Sequence, residues 1–163
     1  MARITFGKQS EYGLKLKELE QAFLSDEPLE RAVSKGAAPV ADAIRNNLEA
    51  LPTEEFRYLR DGEIFNGIPE SQKQDLIDSF GLTPISRDKN GFVNTKAGFD
   101  GYGSHPTKAY PQGVPNQLIA RAVESGSSVR AKTPFVRPAV NATRQEAIKE
   151  MEKSIDEDLK KIF

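Results

Sequence analysis

Residues 131–145 read AKTPFVRPAVNATRQ and place two prolines, Pro134 and Pro138, directly before the longest charged amphipathic run of the chain. Proline suits the first turn of a helix, where its missing N–H would have no partner, and it favours extended backbone at the residue before it. The sequence therefore predicts that Pro138 starts the last helix and that Arg137 is extended before it. Phe135 and Arg137 are then expected on a stiff segment between the two prolines, which we call the strap.

The run after the strap has the clearest helical pattern in the chain. Its apolar residues recur at spacings of three and four, with charged residues on the other faces: Ile148, Met151, Ile155, Leu159 and Ile162. A helix over residues 138–163 would be about 39 Å long at about 1.5 Å per residue. Two arrangements remain open: the helix lies across the sheet of its own domain, or its end packs on a neighbouring subunit.

Two further helices are predicted near the N-terminus. Tyr12, Leu16, Leu19 and Phe23 recur at helical spacing, and residues 25–28 (SDEP) then supply a stop and a new cap. The second helix has one apolar stripe that ends at Pro52: Leu29, Val33, Val40, Ile44, Leu48 and Leu51. Gly36 and Pro39 interrupt this helix, so a kink or a break is possible there.

The middle of the chain has the pattern of short strands and turns. Residues 53–69 have mixed periodicity and are predicted to be irregular with some strand, and residues 69–81 (PESQKQDLIDSFG) suit a short helix. The turn RDKNG at 87–91 favours a hairpin, because Asn and Gly both accept positive φ. Residues on one face of its second strand are expected to be half-buried: Val93, Thr95, Ala97 and Phe99.

A long loop and another helix follow the hairpin. Residues 100–115 hold three glycines and three prolines, and a loop of this length in a compact domain more often has a binding or assembly role than none. Pro115 is predicted to open a helix that Gly126 stops. The residues expected on its buried side are Leu118, Ile119, Ala122 and Val123. Residues 127–135 are expected to return as a strand.

Length and composition favour one domain over residues 1–163, since a chain of 163 residues that is 37% apolar can bury one core. The absence of cysteine excludes disulfides, iron–sulfur clusters and thiolate zinc sites. No segment approaches the roughly 18 consecutive apolar residues of a membrane helix, and the N-terminus lacks the apolar stretch of a signal peptide. We therefore expect a soluble protein made in a cytoplasm.

The sequence contains little that points to catalysis. His105 is the only histidine and has no ligand cluster around it, which argues against metal binding or general-base work. Ser104 is not expected to form a dyad with it, because adjacent side chains on an extended chain point apart. The motif GFDGYG at 98–103 lacks the spacing of a phosphate loop, and the acidic residues of 54–63 lack that of a calcium loop. The prediction is a protein without catalytic residues, cofactor or metal, and so not an enzyme.

The net charge is −1, which argues against a general nucleic-acid binder, but the charges are unevenly distributed. Residues 82–137 contain eight Lys or Arg and three Asp or Glu, whereas residues 53–80 contain three and seven. Such asymmetry can mark a partner surface, or copies of the chain that meet basic side to acidic side. The same charge counts would arise if the lysines in 82–137 were simply solvated surface residues with no partner. The sequence leaves both interpretations open, a partner surface and a solvated surface.

One segment resembles a known family. QLIARAVESGSSVRAKTPFVRPAV (117–140), which leads into a charged C-terminal helix, is similar to the signature of the tail-component family of long-tailed bacteriophages and their prophages. Residues 76–103 resemble the middle of that family and residues 32–48 its N-terminal part. The resemblance covers roughly residues 12–163, with a longer segment at 52–69 and an apparent insertion, SHPTKAYPQ, in the loop after the hairpin.

The resemblance implies an α+β fold, with a small antiparallel sheet on which N-terminal helices and a long C-terminal helix pack. It implies no catalytic activity and no cofactor. Members of the family are expected to act in tail completion and head–tail joining as several copies in a ring. The implied partners are the head-completion or connector proteins and the tail-tube or tail-terminator proteins, with phage DNA passing through the ring without sequence-specific binding. The implied location is the virion, after assembly in the host cytoplasm.

The segment that carries the resemblance also supplies the candidate assembly residues: Arg121, Glu124, Arg130, Lys132, Phe135 and Arg137. Phe135 is expected to anchor the strap in the core, and Arg137 to meet a carboxylate of the same or the next subunit. A purely intrachain role for Arg137 at the helix end remains open. The alternative function is a non-enzymatic phage-encoded module that regulates or binds a host protein or nucleic acid. For single-stranded nucleic acid, the relevant basic and aromatic residues are Tyr102, Lys108, Tyr110 and Arg130.

Overall fold

The computed structural model describes residues 11–162 and has the α+β architecture predicted from the sequence. Within those residues, the elements in chain order are α1 (Glu11–Leu24), α2 (Glu27–Glu49), α3 (Glu70–Ser79), β1 (Phe80–Leu82), β2 (Ser86–Arg87), β3 (Val93–Asn94), β4 (Ala97–Phe99), α4 (Asn116–Ser125) and α5 (Val136–Ile162). None of these helices is long and apolar enough to cross a membrane.

The two longest helices, α2 and α5, pack side by side with opposite directions. Arg31 near the start of α2 pairs with Asp158 near the end of α5, while Asn47 at the other end of α2 donates to the Phe135 carbonyl directly before α5. α2 is continuous through Pro39, so the possible break is not present. The long helix therefore packs mainly along α2 rather than across the strands.

The hydrophobic core lies where the strap, α3, α4 and the strands meet the second half of α2; we call this part the body. The largest fully buried apolar side chains there are Ile44, Leu48, Ile68, Leu76 and Phe135. Phe135 is 1% exposed, which confirms its predicted role as the core anchor. Its ring stands edge-on to Phe99 with centroids 5.9 Å apart, and Phe99 contacts Phe80 at 5.3 Å.

Beyond the body, the first part of α2 (residues 27–37) and the last part of α5 (residues 147–162) form a narrow extension that we call the shaft. Its buried residues are Pro28, Ala32, Gly36, Ala147, Ser154 and Asp158. A Cβ at Gly36 would lie 3.0 Å from the Ala147 carbonyl oxygen, so the helices approach too closely for larger side chains. The predicted stripe is displaced as a result: Ile148 is 36% exposed, and small or polar residues occupy the innermost positions. In α1, Leu16 is exposed and Leu19 half-buried, while Tyr12 and Phe23 lie outside the described side chains.

The predicted hairpin is present, as two short antiparallel ladders. β1 pairs with β4 in the register Phe80↔Phe99, and β2 pairs with β3 in the register Arg87↔Val93. Its turn differs from the expectation that Asn90 and Gly91 would both have positive φ, because only Gly91 does, at 84°. The Asp88 carboxylate accepts the backbone N–H groups of Asn90 and Phe92 at 2.8 and 3.0 Å and so organises the turn in another way.

Three other local predictions were wrong. The second strand of the hairpin is divided into β3 and β4, and Ala97 on its expected buried face is exposed. Leu118 is 41% exposed, because the buried face of α4 consists of Asn116, Ile119, Ala120 and Val123. Residues 127–135 form isolated bridges rather than a strand: Arg130 bridges to Phe65, and the Ala131 N–H donates to the Phe65 carbonyl at 2.7 Å. The partner of this segment is itself an irregular loop, so no ladder extends along it.

Candidate assembly site at the start of the C-terminal helix

α5 begins at Val136, two residues before the predicted start, because a side chain from α4 caps it. The Glu124 carboxylate accepts the backbone N–H groups of Phe135 at 2.7 Å, Val136 at 2.9 Å and Arg137 at 3.0 Å. The first N–H groups of a helix have no partner within it, and a carboxylate there also complements the positive end of the helix dipole. Arg137 is therefore helical, not extended as predicted, and Pro138 occupies the third helical position, which lacks an intrahelical bond anyway.

The cap determines the ionisation of Glu124. Partial burial raises the pKa of its carboxyl, but the N–H groups of Val136, Phe135 and Arg137, together with the Arg137 charge, lower it by more. The net pKa lies below the ordinary value of a glutamate. Glu124 is thus an anionic cap at neutral pH and fixes the position of α4 relative to α5.

The strap is held on its other side as well. The Asn47 side-chain amide donates to the Phe135 carbonyl at 3.0 Å, and the Thr133 N–H donates to the Val123 carbonyl at 2.9 Å. Gly126 ends α4 with a φ of 78°, a conformation that glycine adopts without a steric penalty. The segment between α4 and α5 is therefore held by hydrogen bonds at several points although it contains no regular element.

A cleft of about 470 Å³ opens on the surface beside this cap. Ala120, Val136 and Val140 supply its apolar lining, and Arg121 and Arg137 are exposed at its sides. Neither arginine forms an ion pair with any residue in 11–162. We call this feature the basic cleft. It brings together three of the six predicted assembly residues, Arg121, Glu124 and Arg137.

The other three predicted residues lie elsewhere. Phe135 is in the core, and Lys132 is exposed beside Gly126. Arg130 is half-buried; its Nη2 donates to the Gln72 side-chain oxygen at 3.1 Å, and its Nη1 is buried without a partner in the described part of the chain. Burial lowers the pKa of Arg130. Arg130 thus connects the segment before the strap to α3, and whether any of the three acts in assembly stays a prediction.

A second surface feature is the loop at residues 53–68, here called the acidic loop, which the sequence predicted only as an irregular segment. Its ends are closed by hydrogen bonds from the Glu54 N–H to the Ile68 carbonyl at 3.1 Å and from the Ile68 N–H to the Pro52 carbonyl at 3.0 Å. Gly67 is needed at this closure, because a Cβ there would lie 2.6 Å from the Pro52 carbonyl oxygen. The loop has the compact form of an Ω-loop.

Ion pairs and rings fix the inside of the acidic loop. The Arg57 guanidinium donates to Glu54 at 3.1 Å and to Glu63 at 2.7 Å. The Arg60 N–H, first, and Arg57, second, lower the pKa of the Glu63 carboxyl. Phe65 is buried, with Phe56 edge-on to its ring at 5.5 Å and the Arg57 guanidinium 5.8 Å from its centroid. A segment without helix or strand is thereby held in one conformation.

The long loop after the hairpin contains a polar cluster that contradicts one sequence prediction. The Asp75 carboxylate of α3 accepts the Ser104 N–H at 2.8 Å and the Ser104 hydroxyl at 2.9 Å, and the same hydroxyl lies 3.1 Å from Nδ1 of His105. The backbone bends at Ser104, so the adjacent side chains converge instead of pointing apart. Serine, not histidine, lies between the other two groups, which is not the order of a nucleophilic triad. The cluster ties the loop to α3.

The residues of the nucleic-acid alternative divide between surface and interior. Tyr102, Lys108 and Tyr110 are exposed on the long loop, whereas Arg130 is turned toward Gln72. Among residues 11–162, no three acidic or histidine side chains form a group that could hold a metal ion.

The chain matches no protein-family model, no curated protein and no solved structure.

Proposed function

We propose that the chain is a structural protein of the neck or tail of a long-tailed bacteriophage or prophage, which acts in tail completion and head–tail joining as a subunit of an oligomeric ring. The main support is that the residues carrying the resemblance act as one unit. Glu124, from the Glu-Ser-Gly end of α4, caps the helix that starts in the strap, and Phe135 anchors the strap in the core. The similarity thus lies in residues that hold each other in place.

A ring also needs two different surfaces on each subunit, because every copy meets its neighbours through heterologous contacts. The chain offers surfaces of opposite charge. Six exposed basic side chains of residues 82–137 form no ion pair within the described residues: Lys89, Lys96, Lys108, Arg121, Lys132 and Arg137. The acidic loop carries four carboxylates against two arginines.

In this proposal the ring lies between the connector or head-completion proteins on one side and the tail-tube or tail-terminator proteins on the other. Phage DNA passes through the ring without sequence-specific binding. The chain's own task is mechanical, since it must keep its shape while both neighbours dock. A hydrogen-bonded strap and a preorganised loop suit that task because they leave little conformational entropy to be lost on assembly.

The test is deletion of the gene from the source phage or prophage, followed by electron microscopy of the lysate. We expect filled heads and tails that lie unjoined, or tails of abnormal length, and restoration of intact particles by the wild-type gene supplied in trans. Normal virions in the deletion lysate would contradict the proposed function.

A further inference from the structure

We propose that copies of this chain join head to tail, with the acidic loop of one copy inserted by Tyr58 into the basic cleft of the next. This inference specifies the contact within the proposed ring and rests on that function for its biological meaning. It is carried by the shape, exposure and charge of the two features.

The acidic loop presents two exposed aromatic side chains, of which Phe56 also contacts the Phe65 ring. Tyr58 is 102% exposed and Phe56 is 53% exposed, on a loop whose backbone is fixed by Arg57, Glu54 and Glu63. Tyrosine is enriched among the residues that dominate binding energy at interfaces. Because the loop is already ordered, docking would lose little further entropy.

The basic cleft has a size and lining that fit such a side chain. Its volume of about 470 Å³ lies within the roughly 300–1,000 Å³ range of small-molecule pockets. Val136 and Val140 offer apolar surface to an aromatic ring, which would bury about 150–250 Å². No hydrogen bond or ion pair joins the loop to the cleft within one described chain, so both remain available to other copies.

Charge complementarity selects a second copy as the occupant. The acidic loop carries four carboxylates against two arginines, and neither Asp61 nor Arg60 forms an ion pair among the described residues. Arg121 and Arg137 flank the cleft, and its one carboxylate is that of Glu124, on which the Arg137 charge acts. The Glu124 carboxylate at the cleft keeps its negative charge, but its oxygens already accept three backbone N–H groups. A loop in which carboxylates outnumber arginines would therefore enter a cleft in which arginines outnumber carboxylates.

The geometry of such a contact is directional. The loop and the cleft are different surfaces of the chain, so one contact leaves a free cleft on one copy and a free loop on the other. Repetition of this contact gives a closed ring or an open filament. A dimer held by one such contact still has one free loop and one free cleft.

The experiment is sedimentation velocity on purified wild type, Tyr58→Ala, Arg137→Glu and an equimolar mixture of the two variants. Each variant alone should weaken self-association at least about 30-fold. The mixture should form dimers and nothing larger, because only the intact loop of one variant and the intact cleft of the other can meet. Tyr110→Ala and Lys149→Glu, two exposed residues outside both features, serve as matched controls that should assemble like wild type.

Three outcomes would overturn the inference: a wild-type chain that is monomeric up to millimolar concentration, variants that assemble like wild type, or a mixture that forms no dimer. The circular dichroism spectrum of each variant establishes that it is folded. The experiments distinguish a failure of the proposed function from a failure of the proposed contact. Unjoined particles after gene deletion, with self-association insensitive to both variants, would remove only the contact; normal virions with variant-sensitive self-association would remove only the phage function.

Discussion

The body and the shaft are built on the same two helices but bury different kinds of side chain. In the body, α2 contributes Ile44 and Leu48 to a core that also holds Phe135. In the shaft, α2 contributes Ala32 and Gly36, and the interior is completed by small and ion-paired residues of α5. One pair of helices is thus held together by apolar volume at one end and by close approach at the other.

The difference between body and shaft indicates which part of the chain contributes most to the free energy of unfolding. Burial of large apolar side chains contributes about 1.5–3 kcal/mol for each residue, and that contribution is concentrated in the body. The shaft depends on backbone proximity and on surface pairs such as Lys35–Glu157, which contribute little in water. The body should therefore determine whether the chain folds, while the shaft determines how the end of α5 is positioned.

Replacement of the core anchor should have the largest effect. We expect Phe135→Ala to lower the free energy of unfolding by about 3–5 kcal/mol, because it empties a buried site and removes the edge-on contact with Phe99. Urea unfolding followed by circular dichroism measures this loss. Phe92→Ala, which removes an exposed ring, is the matched control and should change stability by no more than about 0.5 kcal/mol. Similar losses for both would refute the role of Phe135 as the anchor.

A second substitution tests close approach in the shaft. Gly36→Leu should destabilise the protein by a net amount of about 2 kcal/mol, since overpacking outweighs the gain in helix propensity. A Cβ at Gly36 would lie 2.5 Å from Met151 Cγ, which can move, and 3.0 Å from the Ala147 carbonyl oxygen, which is backbone. Thermal unfolding measures the change, with Ser34→Leu on the exposed face as control. Stabilisation by Gly36→Leu would contradict this prediction, because it would mean that α2 and α5 can move apart at this point without loss of stability.

The sequence predicted the elements whose signals are local. The break at residues 25–26, the short helix α3 and the presence of a hairpin follow from prolines, glycines and apolar spacing within a few residues, although the Asp26 side chain makes no capping bond. The burial of Phe135 was also predicted from the sequence, since the two prolines of the strap restrict the backbone conformation around it. These features depend little on distant partners.

The features that were missed depend on contacts between distant residues. Glu124 lies 12 residues before Val136 in the chain, and only the folded structure brings its carboxylate to the start of α5. Gly36 looks like a helix breaker until Ala147 is packed against it. The apolar residues of the acidic loop follow no helical or strand periodicity, because salt bridges through Arg57 rather than backbone ladders stabilise its conformation. Residue spacing does not report such contacts, so the candidate site was predicted only in part.

The smallest expected effects concern two carboxylates near the two ends of α5, Glu124 at the body and Asp158 in the shaft. Glu124→Gln keeps one acceptor oxygen but removes the charge, and it should cost about 1 kcal/mol at neutral pH. Asp158→Asn weakens the contacts with Lys161 and Arg31, which lower the pKa of Asp158, in that order. It should also destabilise the protein, but by less, because the cationic side chains of Arg31 and Lys161 are 48% and 73% exposed to water.

The pH dependence separates these carboxylates from residues that merely fill space. Both have a pKa that is lower in the folded chain than in the unfolded chain. Their stabilisation is therefore fully present above the unfolded pKa of about 4 and is lost as the pH falls through the lower folded pKa. The difference between wild type and either variant should be constant near neutral pH and vanish in acid, whereas the loss from Phe135→Ala should persist. High salt should reduce the Asp158 effect more than the Glu124 effect, since three fixed N–H groups are screened less than mobile surface cations. A Glu124→Gln loss that persisted at low pH would show that the side chain acts by packing, and would leave the start of α5 without its proposed electrostatic cap.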